Sequence, residues 1–252
     1  MWAAHPYVTD DSGTQGAGNW QLELLAERVR HDRTANTAGA AAHQHRKVIA
    51  FNPVLTYGLR EDLDIALGAN HLRDRVREDG ALTASATGAG DSTLELKWRF
   101  YEANGLSLAL KPGLILPTGD ENRGLGTGRL SFGLNAILTY EAKPWVWLAN
   151  LAHTHARYRL PQDARANRRH LWRASGGFGY FLREDLRLVG EAGARTNPAK
   201  DDPFLPGRNG HFAMLGLIYS PSGQLDLDVG LRRSMNSGEA DRALLLGATF
   251  RW

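Results

Sequence analysis

The chain has 252 residues, a formal net charge of +3, a mean hydropathy of −0.38 and 42% hydrophobic residues. It contains no cysteine, which excludes disulfides and cysteine-based metal or redox chemistry, and its basic residues are dispersed rather than gathered into the stripe a nucleic-acid surface needs. No apolar run is long enough for a transmembrane helix, but a membrane barrel needs none, because only every second residue of a strand meets lipid.

Met1-Trp2-Ala3-Ala4 cannot hold the charged and apolar regions of a signal peptide, so the chain reads as a mature form with an added start methionine. Residues 1–18 carry Asp10, Asp11, Gly13, Gly16 and Gly18 and no strand pattern. Two fates are open for them: entering a barrel lumen from below and constricting it, or remaining a disordered periplasmic tail. From there on the signal is strict alternation, clearest where Leu94, Leu96, Trp98 and Phe100 interleave with Glu95, Lys97, Arg99 and Tyr101. A strand puts each set on one face, whereas a helix would scatter both. The alternating segments are 19–31, 44–58, 62–77, 91–102, 105–117, 129–141, 144–158, 169–182, 185–197, 209–220, 223–235 and 240–252.

The connections alternate in length. Short ones fall at Arg60-Glu61, Ala103-Asn104, Ala142-Lys143, Arg183-Glu184 and Pro221-Ser222. Longer ones surround 34–43, 79–90, 118–128, 160–168 and 198–208, with a moderate one at Asn236–Glu239. Tight periplasmic turns and longer external loops are what a membrane barrel shows. The expected fold is therefore all-β: a transmembrane antiparallel up-and-down barrel of about twelve strands, residues 19–252, with both termini periplasmic. Aromatic residues give an independent check. Trp20, Tyr57, Phe100, Tyr140, Trp145, Trp147, Tyr180, Tyr219, Phe250 and Trp252 all fall at the short-turn ends of their strands, as an interfacial girdle requires. An external girdle of Tyr158, Trp172 and Phe212 is sparser. A soluble sandwich is disfavoured, since its strands average about five or six residues and its core would have to bury the interleaved charges.

Several short motifs bear a family likeness. His5-Pro6-Tyr7-Val8-Thr9-Asp10-Asp11, Gly88-Ala89-Gly90-Asp91 leading to Lys97-Trp98-Arg99-Phe100, and Leu110-Lys111-Pro112-Gly113 followed by Leu116-Pro117-Thr118-Gly119-Asp120 stand in order along the chain. Together they resemble the transporter family named for the meta-pathway of phenol degradation, with Trp98 where that family's pattern has tyrosine. The resemblance implies an outer-membrane channel for passive uptake of small solutes, with hydrophobic or aromatic compounds as an implied class.

The alternation sends Glu23, Asp64, Glu95, Lys97, Arg99, Lys111, Arg173, Arg187, Glu191, Arg195, Asp226, Asp228 and Arg232 inward as pore-lining candidates. Rings of charge set ion preference in pores, and Lys97, Arg99 and Lys111 on neighbouring strands form the best selectivity cluster; opposite-charge pairing across strands is the alternative role for any one of these. Pro53 and Pro112 each remove a ladder donor and mark bulges or bends.

Two other functional classes stay open: an outer-membrane lipid-modifying enzyme, and a non-conducting structural or adhesion barrel. His153 and His155 share a strand face near His170, but Ser175 falls on the opposite face and no G-x-S-x-G motif exists, so no catalytic residue is assigned. Asp120-Glu121-Asn122-Arg123-Gly124 opens like a calcium loop yet lacks the closing glutamate, so neither metal nor cofactor is expected. The expected partners are outer-membrane lipid and lipopolysaccharide, small-molecule solutes and, through the C-terminal strand ending at Trp252, the outer-membrane insertion machinery.

Overall fold

The computed structural model describes residues 6–37, 40–205, 207–236 and 242–252. Within these, fourteen strand segments build one antiparallel sheet: β1 (Trp20–Thr37), β2 (Ala40–Arg60), β3 (Leu63–Gly68), β4 (His71–Glu78), β5 (Ala81–Ala89), β6 (Ser92–Ala103), β7 (Leu106–Leu116), β8 (Ser131–Ala142), β9 (Trp145–His155), β10 (His170–Arg183), β11 (Leu186–Thr196), β12 (Asn209–Ser222), β13 (Leu225–Ser234) and β14 (Arg242–Arg251). β1 pairs with both β2 and β14, so the sheet closes on itself. Trp20 and Trp252 seal the seam by exchanging backbone hydrogen bonds of 2.8 and 3.1 Å.

The segments make twelve staves. β3 and β4 lie end to end against the two halves of β2, and β5 and β6 continue one another in the next stave. The break between β3 and β4 falls opposite Asn52-Pro53, where the Ala69 amide donates to the Pro53 carbonyl. Pro112 leaves a second gap: pairing between β6 and β7 skips Leu96-Lys97 and Lys111-Pro112, then resumes without a shift in register. Each proline thus interrupts a ladder rather than inserting a bulge, because the missing N–H removes one rung.

Five two-residue turns stand at one end of the barrel: Glu61-Asp62, Asn104-Gly105, Lys143-Pro144, Glu184-Asp185 and Gly223-Gln224. Asn104 and Gly105 have φ of 52° and 78°, the left-handed pair that matches strand twist in a tight hairpin. The opposite end carries the longer connections, one with a short helix, α1 (Pro161–Ala166), and one with a 3-10 turn at Glu121–Arg123.

Some expectations from the sequence change here. Residues 79–90 are not a loop: Asp79 and Gly80, with φ of 48° and 86°, make a tight hairpin turn from β4 into β5. Most of the expected 34–43 loop is strand as well, since β1 and β2 run in register to Thr37 and Ala40. Both hairpins extend beyond the apolar zone, so wet faces hide their strand period. A register shift between Arg99 and Tyr101 turns Tyr101 outward, 44% exposed, where alternation put it inside. Phe212 is 1% exposed on the inner face and belongs to no external girdle. The ten short-turn-end aromatics stand on the outer face: Trp20 packs on Tyr57 at 4.6 Å, Trp145 on Trp147 at 5.3 Å and on Tyr180 at 4.7 Å. Residues 1–5, with His5 of the first motif, and most of the 236–239 connection lie outside the described residues.

Candidate functional site

The inner face of the barrel is polar, and residues 6–18 cross it. The segment starts against β12 and β13, where Pro6 sits over Gly216 and Gly230: a Cβ on either would stand 3.0 Å or less from the proline ring. Gly177 and Gly179 on β10 likewise clear the Tyr7 ring. The Tyr7 hydroxyl donates to the Phe178 carbonyl at 2.6 Å. Glycine on an inward strand position lets another backbone come close.

Next, Glu191 on β11 accepts from the Val8 and Thr9 amides at 2.8 and 2.9 Å, and the Thr9 hydroxyl lies 2.7 Å from the same carboxylate and 2.8 Å from the Ser175 hydroxyl. Asn150 on β9 clamps Asp10, its side-chain oxygen accepting from the Asp10 amide and its NH2 donating to the Asp10 carbonyl. The Asp10 carboxylate then bridges two staves, meeting Lys97 on β6 at 3.0 Å and Lys111 on β7 at 2.9 Å. Lys111 also pairs with Glu95 at 3.0 Å, and Lys97 donates to the Asp11 carbonyl. The Ser12 amide donates to Thr139 on β8, the Gln15 amide to the Asp64 carboxylate, and the Thr14 hydroxyl to the Glu61 carbonyl. Thr9 and Ser12 are fully buried and Thr14 nearly so.

Burial alone would push the Asp10 carboxyl up, but the Lys111 and Lys97 ammonium groups more than offset this and hold it well below the usual carboxylate range. Asp11 goes the other way, because burial outweighs the attraction of Lys97 and the nearby Asp10 carboxylate repels it. The two adjacent acids therefore face opposite conditions. Two cations, Lys97 and Lys111, receive the ionised Asp10 carboxylate.

The contacts of this segment span the circumference from β13 round to β3 and reach β2 at Gly58, whose carbonyl accepts from the Gly18 amide. A cavity of about 810 Å³ opens in the lumen, floored by residues 7–15 and lined by β3, β6–β11 and Arg232 of β13, with β1 and β2 as one wall. Val29, Val48 and Val54 give that wall an apolar strip, with Gln21, Glu23, Glu27, Thr56 and Arg46 around it. At the loop end the connection after β11 leans over the mouth. Arg33 on β1 donates to the Phe204 carbonyl, and Arg168 donates to the Asn197 and Lys200 carbonyls.

The expected pore-lining residues distribute unevenly around this cavity. Lys97, Lys111, Glu95 and Glu191 hold the segment or its partners. Arg173 and Arg195 stand on the facing strands β10 and β11 beside the cavity. Arg232 pairs with Glu27 and lies 6.0 Å from the Phe212 ring centroid. Arg187 stacks at 5.4 Å on Phe181, Asp226 pairs with Arg251 at 2.7 Å, and Asp228 packs over Gly247. Arg99 does not join the lysines: it sits at the short-turn mouth, donating to the Glu61 carbonyl and pairing with Glu102. The expected open basic cluster is thus dispersed, and its two lysines are neutralised by Asp10. Sequence reasoning missed Ser175, Asn150, Thr139 and Asp64 as docking residues. Their signal was weak: small polar side chains at mid-strand inward positions, next to inward glycines.

His153 and His170 stack on the outer face 5.3 Å apart, His155 is beside them, and Ser175 points inward to Thr9. Asp120 caps the 3-10 turn by accepting from the Asn122 amide.

A closed twelve-stave barrel with an inward N-terminal segment can be compared with known proteins. The sequence matches the model of the family described as "MetA-pathway of phenol degradation" over residues 3–252. The chain belongs to this family. No curated protein matches it in sequence. Among solved structures, an outer membrane channel from Pseudomonas putida F1 superposes with a TM-score of 0.69 at 18% identity, covering 96% of this chain and 98% of that one. The NanC porin follows at 0.57 and 10% identity, covering 91% and 98%, and the KdgM porin at 0.54 and 7%, with the same coverage. At such identities the likeness speaks for the fold, and that fold is an outer-membrane barrel. In this member of the phenol-degradation family, the twelve staves, the polar inner face and the apolar outer face agree with it.

Proposed function

We propose that the protein is an outer-membrane channel for passive uptake of small solutes, with the short-turn end periplasmic, the loop end external and residues 6–18 acting as a docked constriction. The observation that carries this reading is the Asp10–Lys97–Lys111 bridge. It fixes a segment with no strand partner of its own across a water-accessible lumen and leaves a narrow path beside β1 and β2. The valine strip on that path, facing polar residues, suits solutes that combine an apolar part with a polar one. A twelve-stave barrel lies between the side-chain-filled eight and the open sixteen, so a single inserted segment suffices to control its bore.

Single-channel current in a planar bilayer tests the proposal. The full chain should give small steps, and a form lacking residues 2–17 should give several-fold larger ones. Equal steps from both forms would remove the constriction. Silence from both, with the folded barrel verified, would favour a non-conducting barrel.

A further inference from the structure

The outer face of the barrel changes character at one level. Along β1 the outward residues are Trp20, Leu22, Leu24 and Ala26, then Arg28 and Arg30. Along β2, read upward, they are Tyr57, Leu55, Pro53, Phe51 and Ile49, then Lys47. The outward residues of β4 include Arg73 and Arg75. Strand register brings these cations side by side. Arg30 is directly opposite Lys47, and Lys47 is directly opposite Arg75. One rung below, Arg28 and Arg73 flank Ile49. On the other side Arg30 is opposite Arg242, and Arg242 opposite Arg233. A row of cations therefore crosses five adjacent strands.

Like charges directly opposite one another destabilise a sheet. Arg28, Arg30, Arg73 and Arg75 all act electrostatically on Lys47. Asp32, two residues beyond Arg30 on β1, pairs with Arg242 at 3.2 Å and with His45. Among the described residues, no ion pair involves Arg28, Arg30, Lys47, Arg73, Arg75 or Arg233.

The height of the row identifies its surroundings. Trp20 to Arg30, Tyr57 to Lys47 and Trp252 to Arg242 are each ten positions. At about 3.4 Å per residue that is about 34 Å along the strand, or about 26 Å of height at a tilt of about 40°, close to the apolar band of about 25 Å. The row thus stands one membrane thickness above the aromatic girdle, where lipid headgroups begin.

We infer that this row is a binding site for the phosphate groups of an outer-leaflet lipid carrying two phosphates on an acylated sugar headgroup. Guanidinium groups take phosphate oxygens in pairs, and the leucine, isoleucine and phenylalanine face beneath meets the acyl chains. The assignment rests on the loop end being external, as in the channel reading above.

The test follows thermal unfolding of the purified barrel in neutral detergent as diphosphorylated lipid A is added. Dephosphorylated lipid A, phosphatidylglycerol and inorganic phosphate serve as comparisons. A saturable rise in Tm is expected with the diphosphorylated lipid, at an apparent affinity at least about tenfold above that of the Arg30→Gln/Lys47→Gln/Arg75→Gln variant. If the triple variant does not fold, Lys47→Gln at the centre of the row gives the same comparison. An equal rise with any of the other three additives, or in the variant, overturns the assignment. Channel current from the same samples keeps the two readings apart: intact current without a lipid response tells against the row alone, and lost current with an intact response tells against the pore alone. A cysteine at exposed Ala81, unique in this chain, should react with a membrane-impermeant maleimide on intact cells; failure to label would overturn the external placement of the row.

Discussion

Asp10 is where the wall and the inserted segment are held together. Its carboxylate is the only partner Lys97 has in an ion pair among the described residues, and one of two for Lys111. Removing one member of a buried charge cluster costs about 3–5 kcal/mol, more than a hundredfold in the docked-to-undocked ratio. Asp10→Asn should therefore raise the fraction of time spent in the large-conductance state by at least about tenfold, read as dwell times in single-channel records. The pH response follows from the sign of the shift. Asp10 ionises more readily when docked, so its contribution is complete above its free value near 4 and is lost as pH falls below it. Asp11 is shifted upward, so its protonation strengthens docking as pH falls towards the free carboxylate value. Docking should be firmest in mildly acidic solution and fail in strong acid, and a monotonic change in dwell times would contradict this. None of this could be read from sequence: Asp10 and its lysines are 87 and 101 residues apart, and alternation gives which face a lysine is on but not which distant acid reaches it.

At the level of strands, the sequence was legible wherever lipid touched one face and water the other. All five tight turns were located to within two residues. The β4–β5 hairpin was not legible, because both faces of β5 are wet and Ala81-Leu82-Thr83-Ala84-Ser85 carries no apolar period. Its Asp79-Gly80 turn was the signal available, since only residues tolerant of positive φ fit there. Tyr101 was misplaced because one irregularity in register reverses every face beyond it. The inward glycines carry a further prediction. A methyl group on Gly58 would land on the Gly16 carbonyl oxygen, so Gly58→Val should loosen the segment at its root without altering any charge. Larger or noisier current from this variant, with an unchanged Tm of the barrel, is the expected result; unchanged current would show that the root of the segment bears no load.

For the molecule as a whole, the charge of the pore depends on whether the segment is present. With Asp10 docked, the lysine pair is neutralised; with residues 2–17 removed, Lys97 and Lys111 face the lumen with Glu95 alone between them. The truncated pore should therefore prefer anions more strongly than the full chain does, measured as a shift in reversal potential under a salt gradient. Lys97→Gln/Lys111→Gln in the truncated form should abolish the shift. If the shift persists in that variant, the preference belongs to other inward cations such as Arg173 and Arg195. Overall architecture was the most legible level, since closure and stave number follow from alternating lengths of strand and turn.

The docking sites have a consequence for the order of events during assembly. The segment before β1 depends on residues made much later: Thr9 waits for Glu191, and Pro6 for Gly230. The same leading segment leaves the wall at Trp20, which is one lip of the closing seam with Trp252. In the channel proposed above, docking of this segment therefore comes only after the late strands β11 and β13 have joined the sheet.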